Sequence, residues 1–334
     1  MPMRAFQVPA DLLPLVDMFK QTFHYPDNPE WSLRTDELQN VVRELRSLRR
    51  LWPVLRVLQI FSPSLRDMFR GFVWEEDGRI AAAVIVQRQG TTALWSIGIV
   101  GVLPEHRRRG LARKLLSRAL DDLRERGCEK VVLGVIDGNL PAYSLYTSLG
   151  FEHYAGTIEF ETTPSMPPTV PARPSGYTQE FVKRTKLWPF QFELEKRITP
   201  PEVARFQPVD VGRFRPAPLL RLFLPLINLA QRREVKLVLL RRAEDGKLAA
   251  WGAYSVPTTS GGLNQMGVCV DPDHAELADY LVAYHLEHAV ARGPGRRVDF
   301  FVPDWMPVLV ESAERHGFTK RIHFHSLGLV LSSR

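Results

Sequence analysis

A short basic segment combines residue types that could bind an anion. Arg107, Arg108 and Arg109 follow an apolar run that ends in a proline, and Gly110 and Ala112 open a predicted helix. The first amides of a helix have no partners within it, and the helix dipole places partial positive charge there. Small residues also let a ligand approach the backbone closely. The segment therefore predicts a diphosphate site at the start of this helix.

Taken alone, three consecutive arginines are usually a solvated surface run. The fixed order of strand, proline, basic loop and helix is what favours a binding loop. Neither G-x-x-x-x-G-K-[ST] nor G-x-G-x-x-G occurs, so the segment is neither a P-loop nor a dinucleotide fingerprint.

A second segment, downstream of the first, has two interpretations. Asn139 suits a helix N-cap. The apolar positions that follow it have the spacing of a core-facing helical stripe, and Tyr146 lies on that stripe. Packing alone would explain the pattern, although a tyrosine at this position could also move a proton.

Together the two segments resemble motifs A and B of the GNAT N-acetyltransferase superfamily. The first corresponds to Val102-x-Pro104-x-x-Arg107-x-x-Gly110-x-Ala112. The second corresponds to Asn139-x-x-Ala142-x-x-Leu145-Tyr146-x-x-Leu149-Gly150-Phe151. The close match covers residues 92–161, with both motifs in order and on the expected elements.

The resemblance implies acetyl-CoA as cosubstrate, no metal, and transfer of the acetyl group to an amine by direct attack. Its diphosphate would lie on the backbone of Arg107, Arg108, Arg109, Gly110, Leu111 and Ala112, with Asn139 as a further contact. The backbone of Val100, Gly101 and Val102 would pair with the pantetheine arm, in a slot where two parallel strands splay. Tyr146 would protonate the departing thiolate.

The resemblance leaves the general base and the acceptor open. The strand 94–99 contains no acid, and Glu75, Glu76, Asp137 or a water chain remain alternatives. The aromatic and acidic segment 23–31 is either an acceptor-binding loop or a packed loop. The acceptor is expected to be a small-molecule or peptide amine.

The surrounding pattern predicts an α/β fold with a mixed sheet. We expect helices and strands at 9–23, 35–48, 71–74, 79–88, 92–102, 110–126, 130–135, 141–149 and 153–161, with a hairpin early and a crossover helix later. Residues 162–176 are rich in proline, serine and threonine, and are predicted to be a linker.

The two halves of the chain repeat one plan. The Asp77-Gly78 turn recurs 168 residues later as Asp245-Gly246, and residues 135–151 are echoed by 302–318. We therefore predict two tandem GNAT-like domains, each with a mixed, mostly antiparallel sheet flanked by helices. Residues 1–161 would form the catalytic domain, 162–176 the linker and 177–334 a degenerate copy.

The second copy lacks the residues that carry the chemistry. Its counterpart of the basic loop, 275–280, has lost the glycine and the positive charge. Met306 replaces Asn139, and Ala313 replaces Tyr146. This copy could complete the acceptor cleft, mediate oligomerisation or stabilise the first copy. Its apolar segment 217–230 is predicted to be a buried or interfacial helix.

Composition sets outer limits on function. The chain has 334 residues, of which 45% are hydrophobic and 24% are charged, with 44 Lys+Arg against 37 Asp+Glu. It has no apolar run long enough for a membrane span, and two cysteines cannot build a disulfide framework, so we expect a cytoplasmic protein.

Nucleic-acid binding is not expected, because the densest positive patch coincides with the predicted loop; a homodimer is left open. The alternative to an enzyme is a non-catalytic protein that binds acyl-CoA as a sensor or scaffold.

Overall fold

The computed structural model describes residues 2–61, 66–67, 69–183, 186–215, 233–257 and 264–331. We refer to residues 1–161 as the first copy and to 177–334 as the second copy. The strands and helices of the first copy are β1 Met3–Ala5, α1 Leu12–Thr22, α2 Thr35–Phe61, β2 Arg70–Glu76, β3 Arg79–Arg88, β4 Leu94–Val102, α3 Leu111–Glu125, β5 Lys130–Ile136, α4 Leu140–Thr147 and β6 Glu152–Thr162.

The second copy repeats this order. Its elements are β7 Tyr177–Val182, α5 Trp188–Ile198, α6 Pro201–Phe206, α7 Val211–Phe214, β8 Arg233–Arg242, β9 Leu248–Pro257, β10 Asn264–Val270, α8 Leu277–Arg292, β11 Val298–Pro303, α9 Pro307–Arg315 and β12 Thr319–Val330. The predicted mixed α/β class and the tandem plan are confirmed. Both Asp-Gly turns join the strands of an antiparallel hairpin.

All the strands belong to one sheet of 12 strands, in the order β1-β2-β3-β4-β5-β12-β6-β11-β10-β9-β8-β7. The last strands of the two copies have exchanged places. β12 lies between β5 and β6 of the first copy, and β6 pairs with β11 of the second. Each copy's part of the sheet is therefore completed by a strand from the other copy.

One expectation about the helices needs revision, and another is not tested by the described residues. The second helix does not end at residue 48 but continues to Phe61, with Pro53 inside it. The segment 217–230 falls outside the described residues. Among the described residues, no helix is both long and apolar enough to cross a bilayer.

Amphipathic helices cover both faces of the sheet. On one face α3 buries Leu115, Leu116 and Leu123 against β3, β4 and β5. On the other face α1 buries Leu12 and Leu15 against β3 and the start of the chain. Full burial of such a side chain contributes about 1.5–3 kcal/mol. This packing fixes the strands between which the candidate site opens.

Candidate active site

A slot opens in the first copy because two parallel strands part. β4 pairs with β5 only from Leu94 to Ile97. A β-bulge at the next residue, Gly98, then interrupts the β3–β4 ladder, because Ile85 pairs with Ile99 and Val86 with Ile97. Beyond that point β5 pairs only with β12. The predicted splay is therefore present, and the bulge marks where it begins.

The backbone of β4 beyond the bulge has one edge facing this slot. The N–H of Leu103 donates to the carbonyl of Ala81 at 2.9 Å. In an antiparallel ladder the direction of the hydrogen bonds alternates, so Gly101 also bonds towards β3, whereas Val100 and Val102 point their amides towards the slot. An extended amide-bearing ligand can pair with that edge as an added strand would.

Gly101 has a packing role of its own. A Cβ at this position would lie 2.8 Å from the Met18 side chain and 3.1 Å from that of Thr22, both on α1. The glycine therefore lets α1 approach β4 closely. The resemblance predicted that the Gly101 backbone contacts the ligand. Because Gly101 bonds towards β3 and lies against α1, the structure favours the packing role instead.

The loop before α3 has the backbone shape of an anion site. A 3-10 turn, Pro104–His106, leads into Arg108 and Gly110, which adopt left-handed φ angles of 59° and 72°. Such residues curve the chain so that successive amides converge on one side. The first hydrogen bond of α3 runs from the N–H of Lys114 to the carbonyl of Gly110 at 3.1 Å. The earlier amides of this helix point out of its N-terminus.

The Arg107 side chain links this loop to the end of β4 and to the end of α1. Its guanidinium donates to the carbonyls of Thr22 at 3.1 Å and of Val102 at 3.3 Å, and its own N–H bonds to Pro104 at 3.2 Å. Thr22 is the last residue of α1, where a cation is stabilised by the helix dipole. Arg107 thus ties the loop to α1, while the converging donors come from the residues after it.

The remaining arginines of the loop differ in how they are engaged. Arg109 donates to both carboxylate oxygens of Glu76, at 2.8 and 2.9 Å, and the Arg109 hydrogen bond holds the pKa of Glu76 below its usual range. Arg113 donates to the Ser148 hydroxyl at 2.7 Å and joins α3 to the end of α4. Arg108 is exposed at the turn.

Tyr146 lies on α4 and is 7% exposed. Its ring packs edge-on against Phe151, with the centroids 6.1 Å apart. Burial raises the pKa of Tyr146, and the neighbouring Tyr25 raises it further. The phenol therefore stays protonated at neutral pH, as a proton donor must.

Asn139 caps the same helix, accepting from the Ala142 N–H at 3.3 Å. The capping role expected from the sequence is present. The side-chain oxygen is used in this contact, which leaves the amide nitrogen as the group that could reach a ligand.

The aromatic segment 23–31 folds back onto the end of β5. Trp31 lies 3.2 Å from where a Cβ on Gly138 would be, and its ring packs edge-on against Tyr25 at 5.8 Å between centroids. The Ser32 hydroxyl accepts from the Tyr25 N–H at 2.8 Å and closes the loop. The contact of Trp31 with Gly138 places this loop beside the end of β5, one of the two strands that part at the slot. The sequence singled out the segment but not Tyr25 and Trp31 within it.

The acidic residues that the sequence analysis left as candidate general bases have different surroundings. Glu75 and Glu76 are held at the β2–β3 hairpin by ion pairs with Arg4 and Arg109. Asp137 follows β5 and contacts His325 of β12, with 3.0 Å between the carboxylate and the ring nitrogen. The sequence could not anticipate this contact, because nothing local predicts that β12 lies beside β5.

The corresponding loop of the second copy is shorter. Four residues separate the 3-10 turn from α3 in the first copy, whereas two separate the turn Pro272–His274 from α8. The Tyr177 hydroxyl contacts His274 at 2.8 Å and also bonds to Glu276. The carboxylates of Glu276 and of Asp279 near this helix start disfavour an anion. Ala313, at the position of Tyr146, is buried in the core.

Neither copy shows a metal centre within the described ranges. No group of three or more His, Cys, Asp or Glu side chains in them is arranged to hold a metal ion. Cys128 and Cys269 are both buried as free thiols.

Comparison with known proteins agrees with this geometry. A family described as "Acetyltransferase (GNAT) family" matches residues 36–151. Mycothiol acetyltransferase of Thermomonospora curvata is 36% identical over 93 residues, which cover 28% of this chain and 31% of that protein. N-alpha-acetyltransferase 30 of Schizosaccharomyces pombe is 35% identical over 86 residues, which cover 25% of this chain and 57% of that protein. The matches thus span about a third to three-fifths of these relatives.

The tandem arrangement also occurs in a solved structure. The tandem GNAT protein from the clavulanic acid biosynthesis pathway, without AcCoA, has a TM-score of 0.64 and covers 98% of each chain at 14% identity. At this identity the likeness shows the fold. Residues 36–151 thus match the GNAT family, and the chain over nearly its whole length has the fold of a tandem GNAT protein.

Proposed function

We propose that the chain is an acetyl-CoA-dependent N-acetyltransferase whose active site lies in the first copy. The observation that carries this proposal is the combination of three features of the first copy. They are the left-handed turn at Arg108 and Gly110, the open edge of β4, and the buried Tyr146 in the core cluster against which Val100 and Val102 pack. A diphosphate, an amide-bearing arm and a thioester would meet these groups in that order.

In this proposal the predicted residues other than Gly101, which packs against α1, have roles in binding or catalysis. The diphosphate lies on the amides of Arg108 to Ala112, with Arg107 positioning that loop. The backbone of Val100 and Val102 pairs with the pantetheine arm. Asn139 contacts the ligand through its amide nitrogen. Residues 1–161 hold these groups, 162–176 link the copies, and 177–334 form the degenerate copy.

The reaction is direct acyl transfer. The neutral nitrogen of the acceptor attacks the thioester carbonyl, a carbon–nitrogen bond forms, and the carbon–sulfur bond breaks. The N–H of Val100, which faces the slot, is a candidate donor to the developing oxyanion. Tyr146 gives its proton to the departing thiolate and regains one from solvent, and the proton lost by the amine passes to solvent or to a base that we leave unassigned.

The acceptor is proposed to be a small-molecule or peptide amine. A mycothiol acetyltransferase and an N-alpha-acetyltransferase are among the similar proteins, and the name of the second specifies transfer to nitrogen. The Tyr25–Trp31 pair beside Gly138 offers aromatic faces to an approaching ammonium, which must lose its proton before it attacks.

A panel of amines tests the proposal by thiol release from acetyl-CoA. We expect release that depends on the amine and an acetylated product identified by mass spectrometry. The matched control is Gly110→Ala, which strains the predicted diphosphate loop and should abolish release. Coenzyme A binding without release for any amine would favour the alternative, a non-catalytic acyl-CoA sensor or scaffold.

A further inference from the structure

A cavity of about 320 Å³ lies where β10 and β11 of the second copy part, and β6 of the first copy forms part of its wall. These strands pair only from Asn264 to Met266. Gly267, Val268 and Cys269, which occupy the repeat positions of the open edge of β4, then line the cavity. Pockets for small ligands range upwards from about 300 Å³. The second copy has therefore kept its slot while losing the loop for a diphosphate.

Aromatic side chains form much of its wall. Trp251, Trp305, Phe301 and Tyr154 all contribute. The indole Nε1 of Trp251 is buried and has no hydrogen-bond partner among the described residues.

An acid on α5 also faces this cavity. Glu195 is half-buried and makes no ion pair within 4.0 Å in the part of the chain that is described. Burial raises the pKa of its carboxyl, while the charge of Arg213, farther along the wall, opposes that rise. Cys269, on the open edge of β10, lines the same cavity as Glu195.

We propose that this cavity is a second ligand site, for a small organic amine. The ammonium pairs with the Glu195 carboxylate, and the apolar part packs on Trp251 and Trp305. A partly desolvated carboxylate gains most from a cation that donates hydrogen bonds to it, and aromatic faces attract the same charge. The acidic, shortened loop beside α8 excludes a nucleotide. No group transfer takes place here, so the site does not depend on the reaction of the first copy.

Calorimetry on the full chain, without coenzyme A, tests this site with three probes of one shape. The probes are 2-phenylethylamine, 2-phenylethanol and 3-phenylpropanoate. We expect the amine to bind at least tenfold more tightly than the alcohol or the carboxylate. Glu195→Gln should weaken binding of the amine at least tenfold, because it removes the negative charge at nearly constant side-chain shape. Glu193→Gln, an exposed acid on the same helix, should leave binding unchanged.

Three results would overturn the proposal. Tighter binding of the carboxylate would show that Arg213, not Glu195, selects the ligand. Binding of the amine that survives Glu195→Gln but is lost in Trp31→Ala would place it in the first copy. Absence of binding by all three probes would also reject the site. Because no coenzyme A is present, these outcomes stay separate from failure of the proposed transferase.

Discussion

Arg321, on the last strand of the second copy, donates a hydrogen bond of 3.2 Å to the backbone carbonyl of Ser32 in the first copy. The same guanidinium bonds to Glu37 and, at 2.8 Å, to Glu159. Burial would raise the pKa of Glu37, but hydrogen bonds from Arg321 and from the Arg34 N–H outweigh it and lower that pKa. Since Ser32 closes the loop that carries Tyr25, a residue of the second copy anchors the loop to which we assign the acceptor.

Arg321→Met should destabilise the protein and loosen this loop. The Arg321 side chain is 5% exposed, and its removal leaves Glu37 and Glu159 with one cation fewer. Because breaking such a buried pair is costly, we expect the free energy of unfolding, measured in urea, to fall by about 3–5 kcal/mol. In the active enzyme the KM for the amine should rise more than the KM for acetyl-CoA.

The exposed pair of Arg124 and Asp121 provides the control for this change. Arg124→Met should lower the free energy of unfolding by only about 0–1 kcal/mol and leave both KM values unaltered. Equal stability losses in the two variants would contradict the anchoring role of Arg321.

Tyr146→Phe should lower kcat about 100-fold while leaving the Kd for acetyl-CoA within about twofold, because it removes a proton donor and little packing. Steady-state kinetics with the best amine, together with calorimetry, measures both. Tyr143→Phe, on the same helix but packed against His153 and His325, should keep its turnover number. An unchanged kcat for Tyr146→Phe would reject its catalytic role.

His285 should make the protein less stable in acid. Burial lowers the pKa of His285 from 6.5 to about 3, with smaller contributions from His288 and Lys236. Neither ring nitrogen has a partner among the described residues. As the pH falls below the unfolded value, unfolded chains take up a proton that the folded state refuses, so stability falls by about 1.4 kcal/mol per pH unit.

His285→Leu isolates this effect. Between pH 7 and pH 5 the wild type should lose about 2 kcal/mol relative to the variant in urea unfolding. His24→Leu, at an exposed histidine, should follow the wild type across the same range. Parallel curves for wild type and His285→Leu would show that His285 does not control the response.

The exchange of β6 and β12 was not predictable from the sequence. Apolar patterning located β6 to within a residue at each end, because its alternation is a local property. In a duplicated chain, however, each closing strand has two equivalent partners, one in each copy. Local patterns do not choose between them, and the choice follows from how the copies pack.

The candidate site also has features that the local sequence predicts and features that it does not. The basic loop, the cap at Asn139 and the burial of Tyr146 follow from residue type and spacing, which fix local backbone shape. The roles of Arg107 and Gly101 depend on α1, and those of Asp137 and Ser32 depend on β12. Contacts between distant segments carry no local signal.

Strand exchange has a direct consequence for residues 1–161. Without β12, the edge of β5 from Lys130 to Ile136 loses its partner. We expect this fragment to aggregate or remain unfolded, since an open apolar edge invites pairing with other chains. Size-exclusion chromatography and circular dichroism measure the outcome. A monomeric, folded fragment would show that β12 is dispensable.

The central claim is that the loop before α3 holds a diphosphate and that its counterpart before α8 cannot. Titration calorimetry of the full chain with coenzyme A tests it most directly, using Gly110→Ala and Gly127→Ala. Both glycines have left-handed φ angles, 72° and 70°, and no atom within 4 Å of an added Cβ, so the two variants carry the same backbone strain. We predict one site per chain, weakened at least tenfold by Gly110→Ala and unaffected by Gly127→Ala. Two sites per chain, or equal binding by both variants, would contradict the account.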